Sequence, residues 1–454
     1  MTSWLPPSGG RSIGAAILFL LLASPVWAQV NGHVSVLFDT LPDLDEANGA
    51  QSVSELRLRI FAERHDEFGA HFRINIAGYI DGLIADRDFF RLKAEATEGI
   101  EKAEATRAAI VRPADLYADF VTSRFDVRAG AARLVWGRLD EFQPTDVVNP
   151  LDLSRFLMEG RSEARLPVGL VRGRVFLPRS TTIEAVIVPH FRRGRFDQLD
   201  EPSSPFNLMP GPRAGIQPPA EPGPQWLTVR DEPEWSPQGG IRVTSTTGRV
   251  DWSVSAYRGL KAFPISTLVG GADVNVGPYI RESFPRFTMI GGDFETVRGP
   301  WGVRGEVAAF VEDELQSTRA ARGVAGHLVT AGVGVDRKAG DYRIAANVLW
   351  SMSGVDTSDP VARALAGDEE IERTDVSLVV AADRSFARET RTVRVFAVYD
   401  PADATTFTRV IAAISVRDNV WIEGSGGLIT GTSLDIIGRL TRRDFAYARL
   451  KVFF

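Results

Sequence analysis

The sequence predicts an all-β protein, a transmembrane antiparallel up-and-down β-barrel of about 18 strands, within a range of about 16 to 18. Three observations predict this fold. Strand-like segments alternate apolar and polar residues, short turns join these segments in pairs, and the face opposite the apolar one is charged. Strands with two such faces fit a barrel that meets lipid outside and water inside.

The first hairpin shows the alternation most clearly. In residues 54–65, Leu56, Leu58 and Ile60 share one face, while Arg57 and Arg59 share the other. A soluble sandwich or propeller is the competing interpretation, and the charged faces argue against it because the inner faces of those folds pack without charge. The other predicted strands are 30–39, 72–76, 115–123, 125–135, 168–177, 181–191, 240–246, 250–258, 287–297, 301–312, 324–336, 342–350, 374–383, 390–399, 406–417, 420–428 and 446–454.

The connections between these strands fall into two classes. Turns within pairs are short, as at Ser123-Arg124, whereas the connections between pairs are longer. This asymmetry predicts short periplasmic turns and long extracellular loops. Residues 86–109 are rich in Ala, Glu and Lys, which predicts a helical segment in one loop. Residues 192–238 are predicted to form the longest loop, which is rich in proline.

The N-terminus has the pattern of a secretory signal. Arg11 precedes an apolar run at 13–23, which is too short to cross a bilayer as a helix, and Val26-Trp27-Ala28 follows. This predicts a signal peptide at 1–28, cleavage after Ala28 and a mature barrel at 29–454. A retained membrane anchor is the alternative.

The C-terminal strand ends on an aromatic residue, Phe454, without a polar tail. It resembles the C-terminal recognition strand of bacterial outer-membrane proteins. The resemblance implies an outer-membrane location, contact with outer-membrane lipid and recognition of Phe454 by the barrel-assembly machinery.

Composition excludes several functions. The chain has no cysteine, so a disulfide framework, a thiolate metal site and a cysteine nucleophile are ruled out. The net charge of −6 gives no reason to expect nucleic-acid binding. The five histidines lie in no metal-ligand or nucleophile motif, so we expect no enzyme and no metal or other cofactor.

The most distinctive stretch runs from Arg133 to Pro167. It follows a strand that ends at Trp136-Gly137 and then abandons the period of two. Such a connection is either an external loop or a loop folded into the lumen, where residues 136–166 would narrow or plug the pore. The residues predicted to form this constriction or plug are Trp136, Asp146, Asn149, Pro150, Asp152, Arg155 and Glu163.

The spacing within this stretch, Trp-Gly, then Asp-x-x-Asn-Pro-x-Asp, then Glu-x-x-x-Pro, resembles a large and mostly uncharacterised family of proteobacterial outer-membrane barrels. That family is similar in kind to porins and to alginate-export barrels. The resemblance covers residues 125–210 and implies fold and location more strongly than substrate.

The polar faces are rich in arginine, and two interpretations remain open. Inward rings of arginine would favour anionic solutes, whereas arginines paired with carboxylates on neighbouring strands would stabilise a filled lumen. Arg128, Arg242 and Arg449 fall on this face. The predicted pore-lining residues are Arg57, Arg59, Arg73, Arg172, Arg174, Glu184, His190, Arg304, Glu306, Arg343 and Arg394.

These observations lead to two functional hypotheses. The first is a porin-like outer-membrane channel for passive diffusion or export of a polar solute, which would be anionic if the arginines are free. The second is a plugged or structural barrel that acts as an adaptor or gated transporter with a partner. A homo-oligomer and a single working chain both fit a chain of this length.

Overall fold

The computed structural model describes residues 30–41, 53–85, 109–153, 158, 160–195, 228–233, 235–270, 279–317, 320–367, 371–431, 440–441 and 443–454. Two short helices lie in this part of the chain, α1 (Arg161–Ala164) and α2 (Pro360–Arg363). Among the described residues, no helix has the length and apolar character needed to cross a membrane. The strands are β1 (Val30–Leu41), β2 (Val53–Phe68), β3 (Phe72–Ala85), β4 (Ala109–Val121), β5 (Phe125–Ala132), β6 (Val168–Leu177), β7 (Thr181–Val188), β8 (Thr228–Asp231), β9 (Gln238–Thr247), β10 (Val250–Leu260), β11 (Ile265–Val269), β12 (Tyr279–Ser283), β13 (Arg286–Arg298), β14 (Trp301–Ser317), β15 (Arg322–Ala339), β16 (Tyr342–Val355), β17 (Thr374–Phe386), β18 (Arg391–Asp400), β19 (Thr405–Arg417), β20 (Val420–Thr430) and β21 (Phe445–Phe453).

Eighteen of these strands form one closed antiparallel barrel. Each pairs with the next barrel strand along the chain, and β1 pairs with both β2 and β21, which closes the ring. β7 pairs directly with β9, and β10 pairs with β13. The predicted fold class is confirmed, and each predicted strand corresponds to one barrel strand.

The two ends of the barrel differ in their connections. At one end two to four residues join successive strands, as between β9 and β10. At the other end most connections are longer, and the one from β5 to β6 spans residues 133–167. We name these the short-turn end and the long-connection end. Val30 and Phe453 both lie at the short-turn end, so the first and last strands meet with the polarity that closure requires.

One strand begins well before its predicted start. β4 starts at Ala109 rather than at residue 115, because Pro113 and a register shift against β3 between Ile76 and Gly78 interrupt the alternation there. Ala109 apart, the predicted helical segment 86–109 lies outside the described residues. The predicted signal peptide 1–28 also lies outside them.

Three further strands, β8, β11 and β12, form a small separate sheet at the long-connection end. They are four or five residues long, too short to show a clear period of two, and they were not predicted. β8 lies within the predicted proline-rich loop 192–238. Residues 196–227 and 234 of that loop lie outside the described residues.

Apolar side chains cover the outside of the barrel. On β14, Trp301, Val307 and Val311 are exposed, whereas Glu306 and Ala308 on the opposite face are buried inside. An outer surface of this kind suits lipid rather than water. Exposed aromatic rings form a girdle at the short-turn end, as at membrane interfaces; they are Phe68, Phe72, Phe120, Phe125, Trp301, Tyr342, Phe453 and Phe454.

The bore is not polar throughout, which corrects the expectation of a polar inner face along every strand. In the long-connection half, inward side chains of the described residues take part in three apolar clusters, two of which include residues of the connection between β5 and β6. Leu37 and Phe407 pack with Met158 in one cluster, and Tyr257 packs with Trp136 in the other. Met158 and Trp136 belong to the connection between β5 and β6, so this connection packs inside the barrel.

Candidate functional site

Residues 133–167, which we name the lumen segment, connect β5 to β6. Asn149 holds the beginning and the end of this segment together. Its Oδ1 accepts from the Leu134 N–H (2.8 Å), and its Nδ2 donates to the carbonyls of Ala132 (3.0 Å) and Leu166 (2.8 Å). An amide suits this position because it donates and accepts at once. The Leu166 N–H also donates to the Pro150 carbonyl (2.8 Å), which joins the two stems of the segment.

The two acidic residues of the Asp-x-x-Asn-Pro-x-Asp spacing have different partners, one inside the segment and one outside it. Asp146 accepts from the Trp136 N–H (3.2 Å) and pairs with the buried Arg165 (2.5 Å). Asp152 lies 3.7 Å from Arg195 in the next long connection. Asp146 therefore shapes the segment, and Asp152 ties it to the next long connection.

A single carboxylate of the barrel wall fixes the tip of the lumen segment. Glu306 of β14 accepts from the N–H groups of Arg138 (3.0 Å), Leu139 (3.2 Å) and Thr145 (2.8 Å), and from the Thr145 hydroxyl (2.8 Å). A Cβ at Gly137 would lie 2.5 Å from Glu306 Oε1, and the φ of Gly137 is +97°. Only glycine suits that close approach and that backbone angle.

The tip also presents two carboxylates to arginines of the wall. Asp140 accepts from Arg304 of β14 (2.7 Å) and from Arg343 of β16 (3.1 Å), and Glu141 pairs with Arg394 of β18. Arg138 at the tip also donates to Asp293 of β13, so the tip contacts the barrel wall from β13 to β18.

Glycines on that wall make room for the tip. A Cβ on Gly332 or Gly334 of β15 would lie 2.6 or 3.2 Å from the Leu139 side chain. One on Gly291 of β13 would lie 2.7 Å from Thr145. Because close-packed interiors leave no space for extra methyl groups, wall and segment fit each other in shape as well as in charge.

The second stem of the lumen segment faces a different wall. Glu163 of α1 lies 3.9 Å from Arg59 of β2, and 4.0 Å from both Arg449 and Lys451 of β21. Its side chain is 39% exposed, so these contacts are looser than those of Glu306. The segment therefore bridges two walls of the bore. Arg155, the remaining predicted residue of the segment, lies outside the described residues.

Every arginine that the sequence placed on the polar face has a carboxylate partner. Arg172 and Arg174 share the buried Asp126, at 3.1 and 2.5 Å. Each of these predicted arginines therefore lies beside a carboxylate, and Arg172 also lies 4.0 Å from Glu184. The other pairs are Arg57–Glu55, Arg59–Asp81, Arg73–Glu67, Arg128–Asp119, Arg242–Asp293, Arg304–Glu295, Arg343–Asp336, Arg394–Asp383 and Arg449–Glu423.

Two other predicted pore-lining residues, Glu184 and His190, lie in different parts of the structure, and only Glu184 belongs to a barrel strand. Glu184 of β7 accepts from Trp136 Nε1 (2.7 Å), which ties the lumen segment to the wall. His190 lies beyond the end of β7, and its exposed ring meets Trp235 edge-on with centroids 4.9 Å apart. The predicted strand 181–191 was too long, because Pro189 has no N–H to continue the ladder.

An open cavity of about 540 Å³ adjoins the tip in the short-turn half of the bore. Arg138 lines it and donates to Asp293 (2.5 Å) and Glu295 (3.2 Å). Burial by itself lowers the pKa of Arg138, but the bonds to these carboxylates outweigh burial and raise the pKa, so the guanidinium stays charged. The cavity lining is Gly137, Arg138, Leu139, Asp140, Gln143, Arg242, Thr244, Glu295 and Arg304.

Sequence reasoning selected the wall residues of this attachment but missed their partners at the tip of the segment. Arg138, Asp140, Glu141 and Thr145 make these contacts, and none was selected. A usable signal was the charged run directly after Trp136-Gly137, where the strand pattern ends. In the described part of the chain, no group of His, Asp and Glu side chains is arranged to hold a metal ion.

Comparison with solved structures shows which known proteins share this fold. The crystal structure of OccAB3 from Acinetobacter baumannii matches with a TM-score of 0.53 and 7% identity, over 94% of this chain and 99% of that chain. OccAB1 from the same organism matches with a TM-score of 0.52 and 9% identity, over 94% and 96%. A BenF-like porin from Pseudomonas fluorescens Pf-5 matches with a TM-score of 0.51 and 8% identity, over 94% of this chain and 97% of that chain. The chain has the fold of an outer-membrane porin.

The chain belongs to the family described as protein of unknown function DUF1302, whose model matches residues 43–407. The resemblance to a family of outer-membrane barrels without a known function is thereby confirmed. No curated protein sequence matches the chain.

Proposed function

We propose that the protein is a channel of the bacterial outer membrane, without a catalytic role, that passes small polar solutes around a constriction formed by the lumen segment. The observation that carries this proposal is the segment itself, bonded to inward residues of a closed barrel beside an open, charged cavity. In this proposal the short turns face the periplasm and the long connections face the exterior.

The charge preference of the channel depends on the balance of groups in the cavity. The three arginines of the lining, Arg138, Arg242 and Arg304, exceed its two carboxylates, Asp140 and Glu295. An excess of inward cations favours anions. Because each of these arginines is ion-paired, we expect only a small preference for anionic solutes.

Single-channel recording tests the proposal. The mature protein, refolded into a planar bilayer, should give stepwise current that is proportional to voltage, and reversal potentials in a KCl gradient should show a slight anion preference. Heat-denatured protein is the control. A correctly folded barrel that conducts no ionic current would contradict the proposal.

A gated barrel that opens with a partner is the second candidate, and the apolar packing of the lumen segment favours it. Met158 is fully buried among inward residues of β1, β17, β19 and β21. If this contact holds a gate shut, Met158→Ala should raise the fraction of time spent in the open state. If the channel is passive and the segment is fixed, Met158→Ala should spend the same fraction of time in the open state as the unchanged protein.

Phe454 is proposed to be the residue that the barrel-assembly machinery reads. Its N–H and carbonyl bond to the carbonyl and N–H of Gly32, at 3.0 and 3.1 Å, which seals the seam between the first and last strands. Deleting Phe454 should lower the amount of folded barrel in the outer membrane, measured by heat-dependent gel mobility. An unchanged amount would contradict the assignment.

A further inference from the structure

The short-turn end of the barrel carries a ring of cations that the channel proposal does not use. Seven of the eight short turns carry, on the turn or within three residues of it, an exposed arginine or lysine that forms no ion pair among the described residues. Arg73 and Arg343 lie equally near short turns but are paired with carboxylates. We name the set without ion pairs the rim; it consists of Arg124, Arg179, Arg249, Arg298, Arg337, Lys338, Arg384, Arg388, Arg391 and Arg417.

The rim cations have no ionic partners in the described part of the chain. None of their side chains forms an ion pair there, although every predicted arginine of the bore does. The carboxylates Asp341, Glu389 and Asp418 lie on the same turns and are outnumbered. The rim therefore presents an excess of positive charge to its surroundings.

Aromatic rings beneath the rim fix its height relative to the membrane. The Arg337 guanidinium lies 5.1 Å from the ring centroid of Trp301, and that of Arg384 lies 4.7 Å from the centroid of Tyr342. Trp301 and Tyr342 belong to the aromatic girdle, and such girdles sit at the level of lipid headgroups. The rim cations are thus placed where the phosphates of one leaflet lie.

We propose that the rim binds the anionic headgroups of phospholipids in the leaflet at the short-turn end. Guanidinium groups match phosphate oxygens in charge and in donor geometry. The rim follows the circumference from the β4–β5 turn to the β19–β20 turn, as a shell of lipid does, whereas a docked protein would need a patch on one side. Each basic residue near an anionic membrane surface strengthens the attraction about fivefold.

Lipid quenching of tryptophan fluorescence tests this proposal with the full mature chain folded into phosphatidylcholine vesicles. Trp252 and Trp301 lie within three residues of short turns on the outer face of the barrel and report on lipid at the rim. Brominated phosphatidylglycerol should quench more than brominated phosphatidylcholine at the same mole fraction. The excess should shrink at high salt, because ions screen exposed charges.

A matched pair of variants assigns the effect to the rim. Seven rim arginines have no hydrogen bond, ion pair or ring contact of their side chains among the described residues, so they can be changed together. Replacing all seven by Gln should reduce the excess quenching at least about fivefold, the factor expected from one basic residue, and replacing all seven by Lys should preserve it. The seven are Arg124, Arg179, Arg249, Arg298, Arg388, Arg391 and Arg417.

Two results would overturn the proposal. One is equal quenching by the two brominated lipids in the unchanged protein. The other is an excess that survives the seven Gln substitutions, which would leave the rim free for an acidic protein. If the Gln variant does not fold, the salt titration decides, since an excess independent of salt contradicts headgroup binding. Conductance is not measured, so the outcome is independent of the channel proposal.

Discussion

The arginines of the bore and those of the rim share one side chain but differ in their surroundings. Arg174 in the bore lies 2.5 Å from Asp126, and each of the other ten arginines that the sequence placed on the polar face has a carboxylate within 4.0 Å. Arg298 and Arg388 at the rim have none among the described residues. An unpaired charge is costly where water is excluded and is readily solvated at an exposed turn. Bore charges therefore stabilise the fold, and rim charges are available to a partner.

Glu306 extends this comparison to a carboxylate. It is only 4% exposed, and its oxygens accept from three backbone N–H groups and one hydroxyl of the lumen segment. Hydrogen-bond donors can stabilise a buried anion as a cation does. The bore thus satisfies its charges both by ion pairs and by the backbone of the segment that fills it.

The largest effect is expected for Asp126→Asn, which tests whether bore charges are structural. The change leaves the buried Arg172 and the half-exposed Arg174 without their shared partner. We expect the free energy of unfolding to fall by about 3 kcal/mol, the lower end for breaking a buried pair, since Arg174 keeps some water. Urea unfolding in lipid vesicles measures this. Asp418→Asn, at an exposed turn, is the control, and equal stability of the two variants would remove the distinction between bore and rim.

A smaller effect is expected for Glu306→Gln, which tests the attachment of the lumen segment. The amide nitrogen of Gln would face N–H donors, so at least one buried hydrogen bond is lost, at a cost of about 2 kcal/mol. The tip should then loosen and the single-channel conductance should rise. Glu312→Gln on the same strand is the control, because Glu312 is exposed and pairs on the outer surface with Arg258. Unchanged conductance in Glu306→Gln would show that the segment does not depend on this residue.

The sequence predicted the strands of the barrel because successive residues of a strand face lipid and bore in turn. Lipid favours apolar side chains and a water-filled bore favours polar ones. Leu56 and Arg57 carry that information locally, so each barrel strand could be recognised. The contacts that attach the lumen segment could not be predicted in this way, because Glu306 and Arg138 are 168 residues apart in the chain. Inward apolar residues such as Phe407 were also missed, because period two tells the two faces apart only where one of them is polar.

The double variant Asp140→Asn with Glu141→Gln is expected to alter selectivity more than stability. It removes the loop carboxylates from Arg304, Arg343 and Arg394, whose side chains are all partly exposed. Partly exposed pairs contribute less than about 1 kcal/mol, so the barrel should stay folded. The reversal potential in a KCl gradient should shift towards anions. Removing the rim carboxylates, in Asp341→Asn with Glu389→Gln, should leave it unchanged, and equal shifts would place both sets of charges outside the conduction path.

The smallest effect is expected at the rim itself, for Arg298→Gln. Arg298 ends β13 beside a turn, is exposed, and has no side-chain partner among the described residues. Surface substitutions without a specific contact change the free energy of unfolding by about 0.5 kcal/mol or less. In zwitterionic vesicles its urea unfolding curve should therefore match that of the unchanged protein. In vesicles that contain phosphatidylglycerol it should be slightly less stable, because only there does Arg298 meet an anionic headgroup. A loss of equal size in both lipids would mean that Arg298 stabilises the barrel itself, and the contrast between bore and rim would fail at that turn.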